Sequence, residues 1–251
     1  MKRYCLYLFI LIGISCSAEL KAQKNGTIYK GNDPAVRYTG RTLVSPDGSV
    51  AFDWVGTYLE TRFTGGKLSV KVSETGTSYY NVFVDGKLHK VVKVCGTDTL
   101  IHLVSGIDKR IHSLKIQKRS EGEFGKTTVH QFVLSGSGRL AEEPAVRTRH
   151  IEFIGNSLTC GYGTDGKHRD EPFLVETENC NLTFASMVAR YYDADYTLIA
   201  HSGRGAARNY GDSVRVSKVT MKDRMLNTFD EDLTHKSVSY THLTLPTNSR
   251  V

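Results

Sequence analysis

The sequence lacks any paired cysteine spacing of the kind a metal or cluster site requires. Two of its five cysteines fall near the N-terminus. Cys95, Cys160 and Cys180 remain, an odd set read as small thiols in apolar surroundings, with a Cys160–Cys180 disulfide as the alternative for an exported protein. Basic clusters are missing too. Lys67, Lys71, Arg110, Lys118, Arg147 and Arg204 are scattered and carry no interleaved aromatics, which excludes a nucleic-acid surface and reads as a solvated face. No apolar run of bilayer-spanning length occurs at the N-terminus either: residues 4–14 form a short one behind Lys2 and Arg3, and small and polar residues follow at once. That is the pattern of a secretory signal cleaved after Ala22. A lipid anchor at Cys16 ranks second, because Gly13 stands where such signals usually carry an aliphatic residue. The expected location is secreted or periplasmic, in a bacterium, with no membrane partner after cleavage.

The 251 residues present can bury a sizeable core in one large domain or two ordinary ones. With 39% hydrophobic and 24% charged residues, the composition excludes a disordered chain and a membrane bundle. The net charge is +7, or +5 (thirty basic side chains against twenty-five acidic) once residues 1–22 are removed. An excess this small selects no partner.

Residues 25–140 read as strands. Leu68, Val70 and Val72 alternate with Lys67, Ser69 and Lys71, and Leu114 and Ile116 alternate with Ser113, Lys115 and Gln117. Period two means one buried face and one wet face. Turn signals recur at Asp47-Gly48, Gly65-Gly66, Asp85-Gly86, Gly96 and Gly106. Short strands, frequent turns and no helical period predict an all-β antiparallel sandwich of the jelly-roll type. Residues 141–150, with Glu142-Glu143-Pro144, read as a polar linker. Residues 151–154 then predict a buried strand, Asn181 caps a predicted helix over 182–192, and residues 196–200 predict a second strand. Strand, helix, strand is a parallel α/β unit, assigned to 151–236. Residues 237–251 resemble translated sequencing-adapter DNA and are read as a non-native tail.

The sequence Ile154-Gly155-Asn156-Ser157 puts a serine just past a predicted strand, at the end where parallel α/β folds hold their ligands. By residue type alone this is either a turn with an N-cap or a nucleophile. Gly203, in Ser202-Gly203-Arg204-Gly205, likewise reads as a turn glycine or as a bare N–H donor.

The run Gly155 to Gly163 (GNSLTCGYG) resembles the first block of the SGNH/GDSL hydrolases, and more narrowly the two-domain acetyl esterases of carbohydrate esterase family two. Glu176-Thr177-Glu178-Asn179 resembles a following segment of that family, and Ser202 to Gly211 (SGRGAARNYG) its second block. Val36 to Arg41, Trp54 with Gly56, Tyr79 to Val82, and Lys118-Arg119 match its front domain. The resemblance implies a jelly roll followed by a three-layer α/β hydrolase domain. It implies Ser157 as nucleophile and oxyanion N–H, Gly203 as a second oxyanion N–H, an acetylated polysaccharide or oligosaccharide such as xylan or mannan as substrate, and no metal or cofactor. Asn156 replaces the commoner Asp and keeps its hydrogen-bonding capacity. Arg208 and Asn209 match the second block without a catalytic role.

The family's base is a histidine in an Asp-x-x-His block, and a third oxyanion donor lies in a Gly-x-Asn-Asp block; neither block occurs here. His201, His235 and His242 follow Ser157 but match neither. A serine alcohol needs an adjacent base, so the chain as it stands is expected to be inactive. The competing reading is a secreted carbohydrate-binding protein or degenerate esterase acting through its sandwich, with Trp54, Tyr58, Tyr79 and Tyr80 as either a sugar-stacking face or core.

Overall fold

The computed structural model describes residues 26–142 and 145–236. The expected signal segment, Glu143 and Pro144 of the linker, His242 and the 237–251 tail lie outside the described residues. The chain is mostly β. Eight strands form one curled antiparallel sheet: β1 (Gly26–Lys30), β2 (Val36–Thr39), β3 (Leu43–Val44), β4 (Val50–Phe52), β5 (Tyr58–Val84), β6 (Lys87–Lys118), β7 (Thr127–Ser135) and β8 (Arg139–Leu140).

The two long strands explain the curl. β5 pairs through Tyr58–Thr64 with the end of β6, through Leu68–Val72 with its middle, and through Thr77–Val84 with its beginning. The first bend sits at Gly65-Gly66. Gly66 has φ +78°, and a Cβ there would lie 2.4 Å from the Ser135 carbonyl oxygen, so only glycine fits. The other end turns at Asp85-Gly86, where both residues have positive φ, as a tight two-residue hairpin requires. Curling brings Leu59, Phe63, Val82, Leu114 and Ile116 against Leu68, Val70, Val72, Phe132 and Leu134 in a single cluster. The alternation read at residues 67–72 and 113–117 thus points its apolar set inward.

A second, parallel pair follows: β9 (His150–Gly155) beside β10 (Asp195–Ala200), in register from Asp195 opposite His150 to Ala200 opposite Gly155. Helices α1 (Ser157–Cys160), α2 (Phe184–Tyr191) and α3 (Met221–Arg224) complete this unit. The helix predicted over 182–192 starts later and differently. Residues 180–182 make a 3-10 turn, Thr183 is the N-cap of α2, and Asn181 receives the Arg190 guanidinium through its side-chain and main-chain oxygens (both 2.9 Å). Ala185 and Ala189 are buried as the pattern requires, while Leu182 and Tyr192 are exposed. Cys160 and Cys180 are buried free thiols, which removes the disulfide alternative; Cys180 Sγ donates to the Lys118 carbonyl.

The two units meet along a dense seam. Val55 and Tyr58 pack with Tyr196, Leu198 and Ala200, and Trp54 packs with Ile199 and Met221. Trp54 (0% exposed), Tyr58 and Tyr80 are fully interior, and the Tyr79 hydroxyl donates to Glu176. Trp54, Tyr58 and Tyr80 therefore form core and seam, not a sugar-stacking face, and Tyr79 is left half-buried at the surface. Lys118 also departs from its reading as a solvated cation. Gln117, Lys118, Arg119, Ser120 and Glu121 are all buried: the second unit covers Gln117, Arg119 and Glu121, whereas Lys118 turns inward beside Tyr80 and Ser78 of the sheet itself. Across the seam Gln117 donates to the Tyr196 hydroxyl and Arg119 to the Glu178 carbonyl (2.8 Å); within the sheet, Lys118 Nζ donates to Ser78. The 141–150 segment is tied down as well, since Arg147 donates to Asp195 (2.7 Å).

Candidate active site

The first loop is built on Gly155. A Cβ there would come within 2.0 Å of Thr159 Oγ1, so the close turn from β9 into α1 requires glycine. Asn156 is the N-cap in an extended conformation, and its Oδ1 accepts from the Leu158 N–H at 3.1 Å. An uncharged Asn thus performs the capping role expected of it. Ser157 follows as the first helical residue, half-buried. Among the described residues its hydroxyl has no hydrogen-bond partner, and its N–H is one of the unpaired donors of a helix N-terminus.

The second loop leaves β10 at Ala200, the strand partner of Gly155, so both loops emerge at the same C-terminal edge. Gly203 has φ +72°, a conformation natural to glycine, and its carbonyl accepts from the Tyr210 N–H at 2.8 Å. No described group accepts from its own N–H. Asn209 braces the loop by accepting from the Gly205 N–H and donating to the Val219 carbonyl. Gly203 opens into a cleft of about 510 Å3, which His201, Ser202, Arg204, Asn209 and Tyr210 also line; Tyr210 is 94% exposed. Ser157 lies outside that lining, on the neighbouring loop.

Beneath the second loop is a set of buried ionisable groups. Glu121, from the end of the curled sheet, accepts from both the N–H and the hydroxyl of Ser202. Its own N–H donates to Glu178 Oε2 at 2.9 Å. Burial, then the neighbouring Glu121 carboxylate, pushes the Glu178 carboxyl up to about 10, so it keeps its proton at neutral pH. Burial raises the Cys160 thiol well above its usual range, with the same carboxylates adding to the effect, so it is an inert thiol rather than a nucleophile. His201 Nδ1 lies 2.7 Å from Asp230 Oδ2. Burial is the largest influence and would lower that imidazole, but the Asp230 hydrogen bond and the charges of Asp230 and Glu121 together outweigh it, and the net direction is upward. Asp53 holds the Asp230 N–H at 2.8 Å, and burial pushes its carboxyl up to about 7.

Three groupings here bring metal-ligand atoms within 4.8 Å of one another: Glu121 with Cys160 and Glu178, Glu121 with Glu123 and His201, and His201 with Asp230 and Glu231. Their charge is already met by protein groups. Arg224 donates to Asp230 and Glu231, Lys118 lies close by, and Glu178 holds a proton. The arrangement is that of a hydrogen-bonded brace.

No described histidine is bonded to Ser157: His201 faces Asp230 and Glu123, and His235 is bonded to Thr228. The structure thus brings Ser157 and Gly203 to one edge and leaves the base position without a histidine among the described residues.

Residues 38–144 match the family model described as carbohydrate esterase 2 N-terminal. The chain carries the N-terminal domain of carbohydrate esterase family two. Likeness to known proteins of that family extends into the second unit. The chain is 34% identical over 180 residues to the cellulase/esterase CelE of Acetivibrio thermocellus, covering 72% of this chain and 22% of that protein. It is 31% identical over 199 residues to an acetylxylan esterase / glucomannan deacetylase of Cellvibrio japonicus, covering 76% of this chain and 54% of that one. A solved family two carbohydrate esterase from Clostridium thermocellum in complex with cellohexaose superposes with a TM-score of 0.72 at 33% identity, over 77% of this chain and 58% of that one. The chain therefore spans about half the length of the Cellvibrio esterase it matches and a smaller share of CelE.

Sequence reasoning gave no role to Glu121 or to the His201–Asp230 pair, which lie beneath the second loop of this candidate site. A signal for Glu121 was present: five consecutive polar residues, 117–121, end a strand whose preceding positions alternate cleanly.

Proposed function

We propose that this chain is part of a secreted serine esterase that removes O-acetyl groups from plant-type polysaccharides such as xylan or mannan. Its front residues, 25–140, form a jelly roll, and residues 151–236 form part of a three-layer SGNH hydrolase domain. The observation that carries the reading is the parallel register setting Gly155 opposite Ala200. It brings to one sheet edge the loop of a serine with a free hydroxyl and free N–H and the loop of a glycine with a free N–H.

The chemistry follows from those groups. Ser157 Oγ bonds to the acetyl carbon while its proton passes to a base, and the carbonyl oxygen takes the negative charge. The Ser157 and Gly203 N–H groups stabilise that oxyanion, each donor being worth about 3–4 kcal/mol when aimed in advance. Collapse releases the sugar alcohol with a proton, and water then frees acetate from the acetyl-serine. Without a histidine of the Asp-x-x-His type to take the first proton, the present chain does not turn over.

The test is acetate release from acetylated xylan and glucomannan. The 251-residue chain is expected to match its Ser157→Ala variant at background. A form carrying both missing blocks is expected to release acetate and to lose about 1,000-fold or more on Ser157→Ala. Ser157-dependent release by the present chain would overturn the inactivity, and no release by the longer form would overturn the esterase reading.

A further inference from the structure

The loop over residues 203–220 carries Arg204, Arg208, Arg215 and Lys218 against a single acid, Asp212. Arg204 and Lys218 line the cleft beside Gly203. Arg208 and Arg215 are exposed on the same loop. Among the described residues, none of the side chains of Arg204, Arg208, Arg215 and Lys218 has a hydrogen-bond or ion-pair partner.

The acids that share the cleft are engaged elsewhere. Asp212 accepts from the Ser217 hydroxyl, and Glu123 sits 3.6 Å from His201 Nε2, its carboxyl raised by burial and by Glu121. Arg224 is the contrasting case: buried, and taken up by Asp230 and Glu231. A solvated basic face would carry cations interspersed with acids. Here four unpaired cations gather on the loop that presents the acyl-site glycine. Arginine in such a place matches the planar fork of a carboxylate.

We propose that the cleft takes an acetylated polysaccharide that also bears carboxylates, of the uronic-acid type, with Arg204 and Lys218 receiving a carboxylate near the acetylated sugar. The inference rests on the deacetylase reading of the same cleft and narrows its substrate class.

The experiment needs binding only, so the chain itself serves. Its affinity is measured by electrophoresis through gels holding acetylated glucuronoxylan, the same polymer with its carboxyls blocked as methylamides, and the saponified polymer. The chain is expected to prefer the free-carboxylate polymer by about fivefold, and screening by 0.5 M salt should largely abolish that preference. In the Arg204→Gln/Lys218→Gln variant the preference should fall to near one. Circular dichroism of that variant checks its fold, and Arg204→Gln alone, showing a partial loss, stands in if the pair misfolds. Equal affinity for the carboxylate and amide polymers, or a preference untouched by either variant, would overturn the proposal. A carboxylate preference indifferent to acetylation would support the charge recognition while counting against the deacetylase reading.

Discussion

Glu178→Gln is expected to stabilise the protein at neutral and alkaline pH and to flatten the decline of stability as pH rises. The native carboxyl is held up to about 10, whereas in the unfolded chain it ionises near ~4.3. Between those values the folded protein holds a proton that the unfolded chain has lost, so stability falls as pH rises through the window. Glutamine imitates the protonated acid, can still accept from the Glu121 N–H, and has no proton to lose. The gain at pH 7 is at most about 4 kcal/mol (about 2.7 pH units above the unfolded value at ~1.36 kcal/mol each), growing toward pH 9 and vanishing near pH 4–5. Urea unfolding at pH 5, 7 and 9 measures it. Parallel pH dependences in the two proteins would show that Glu178 is not held protonated.

Asp195→Ala is expected to destabilise by about 3–5 kcal/mol, the usual cost of removing one partner from a buried ion pair. Asp195 opens β10 and gathers charge from both units: Arg37 at 2.7 Å, Arg147 at 2.7 Å and the Tyr58 hydroxyl at 2.8 Å. Burial opposes its ionisation, but the Arg37, Tyr58 and Arg147 hydrogen bonds override it and bring the carboxyl down to about 2. Its contribution is present in full above pH ~4 and is lost as pH falls toward 2. The removal leaves Arg37 facing Glu60 alone, and Arg147 facing Glu60 and the exposed Asp193. A loss below about 1 kcal/mol in equilibrium unfolding, the worth of an exposed pair, would show that the seam admits water freely.

The strands that bury one face were legible, because period-two alternation is a local property of the chain. So were the turns at Asp85-Gly86 and Gly65-Gly66, where the backbone needs positive φ. Block resemblance pointed to Ser157 and Gly203, and the parallel register brings the two loops that carry them to one strand edge. What the sequence hid was the seam. Arg119 and Glu121 carry the same letters as a solvated edge, and they are covered by Glu178 and Ser202, more than 50 residues further along the chain. The start of α2 was missed for a related reason: Asn181 has cap chemistry, yet the incoming Arg190 guanidinium engages it and leaves Thr183 to begin the helix. Trp54 and Tyr58 were open between a sugar platform and core, and only the position of β10 decides between them.

Trp54 is the sole tryptophan of the chain, and it lies in the seam, packed on Ile199 and Met221 with its indole N–H donating to the Asn227 carbonyl. The curled sheet keeps its own apolar cluster without that ring. The protein thus carries a built-in optical reporter tuned to one event, the parting of the two units, and nearly silent to rearrangements inside either. Intrinsic emission would shift to the red as soon as the halves separate, whether or not the sheet behind them had begun to melt.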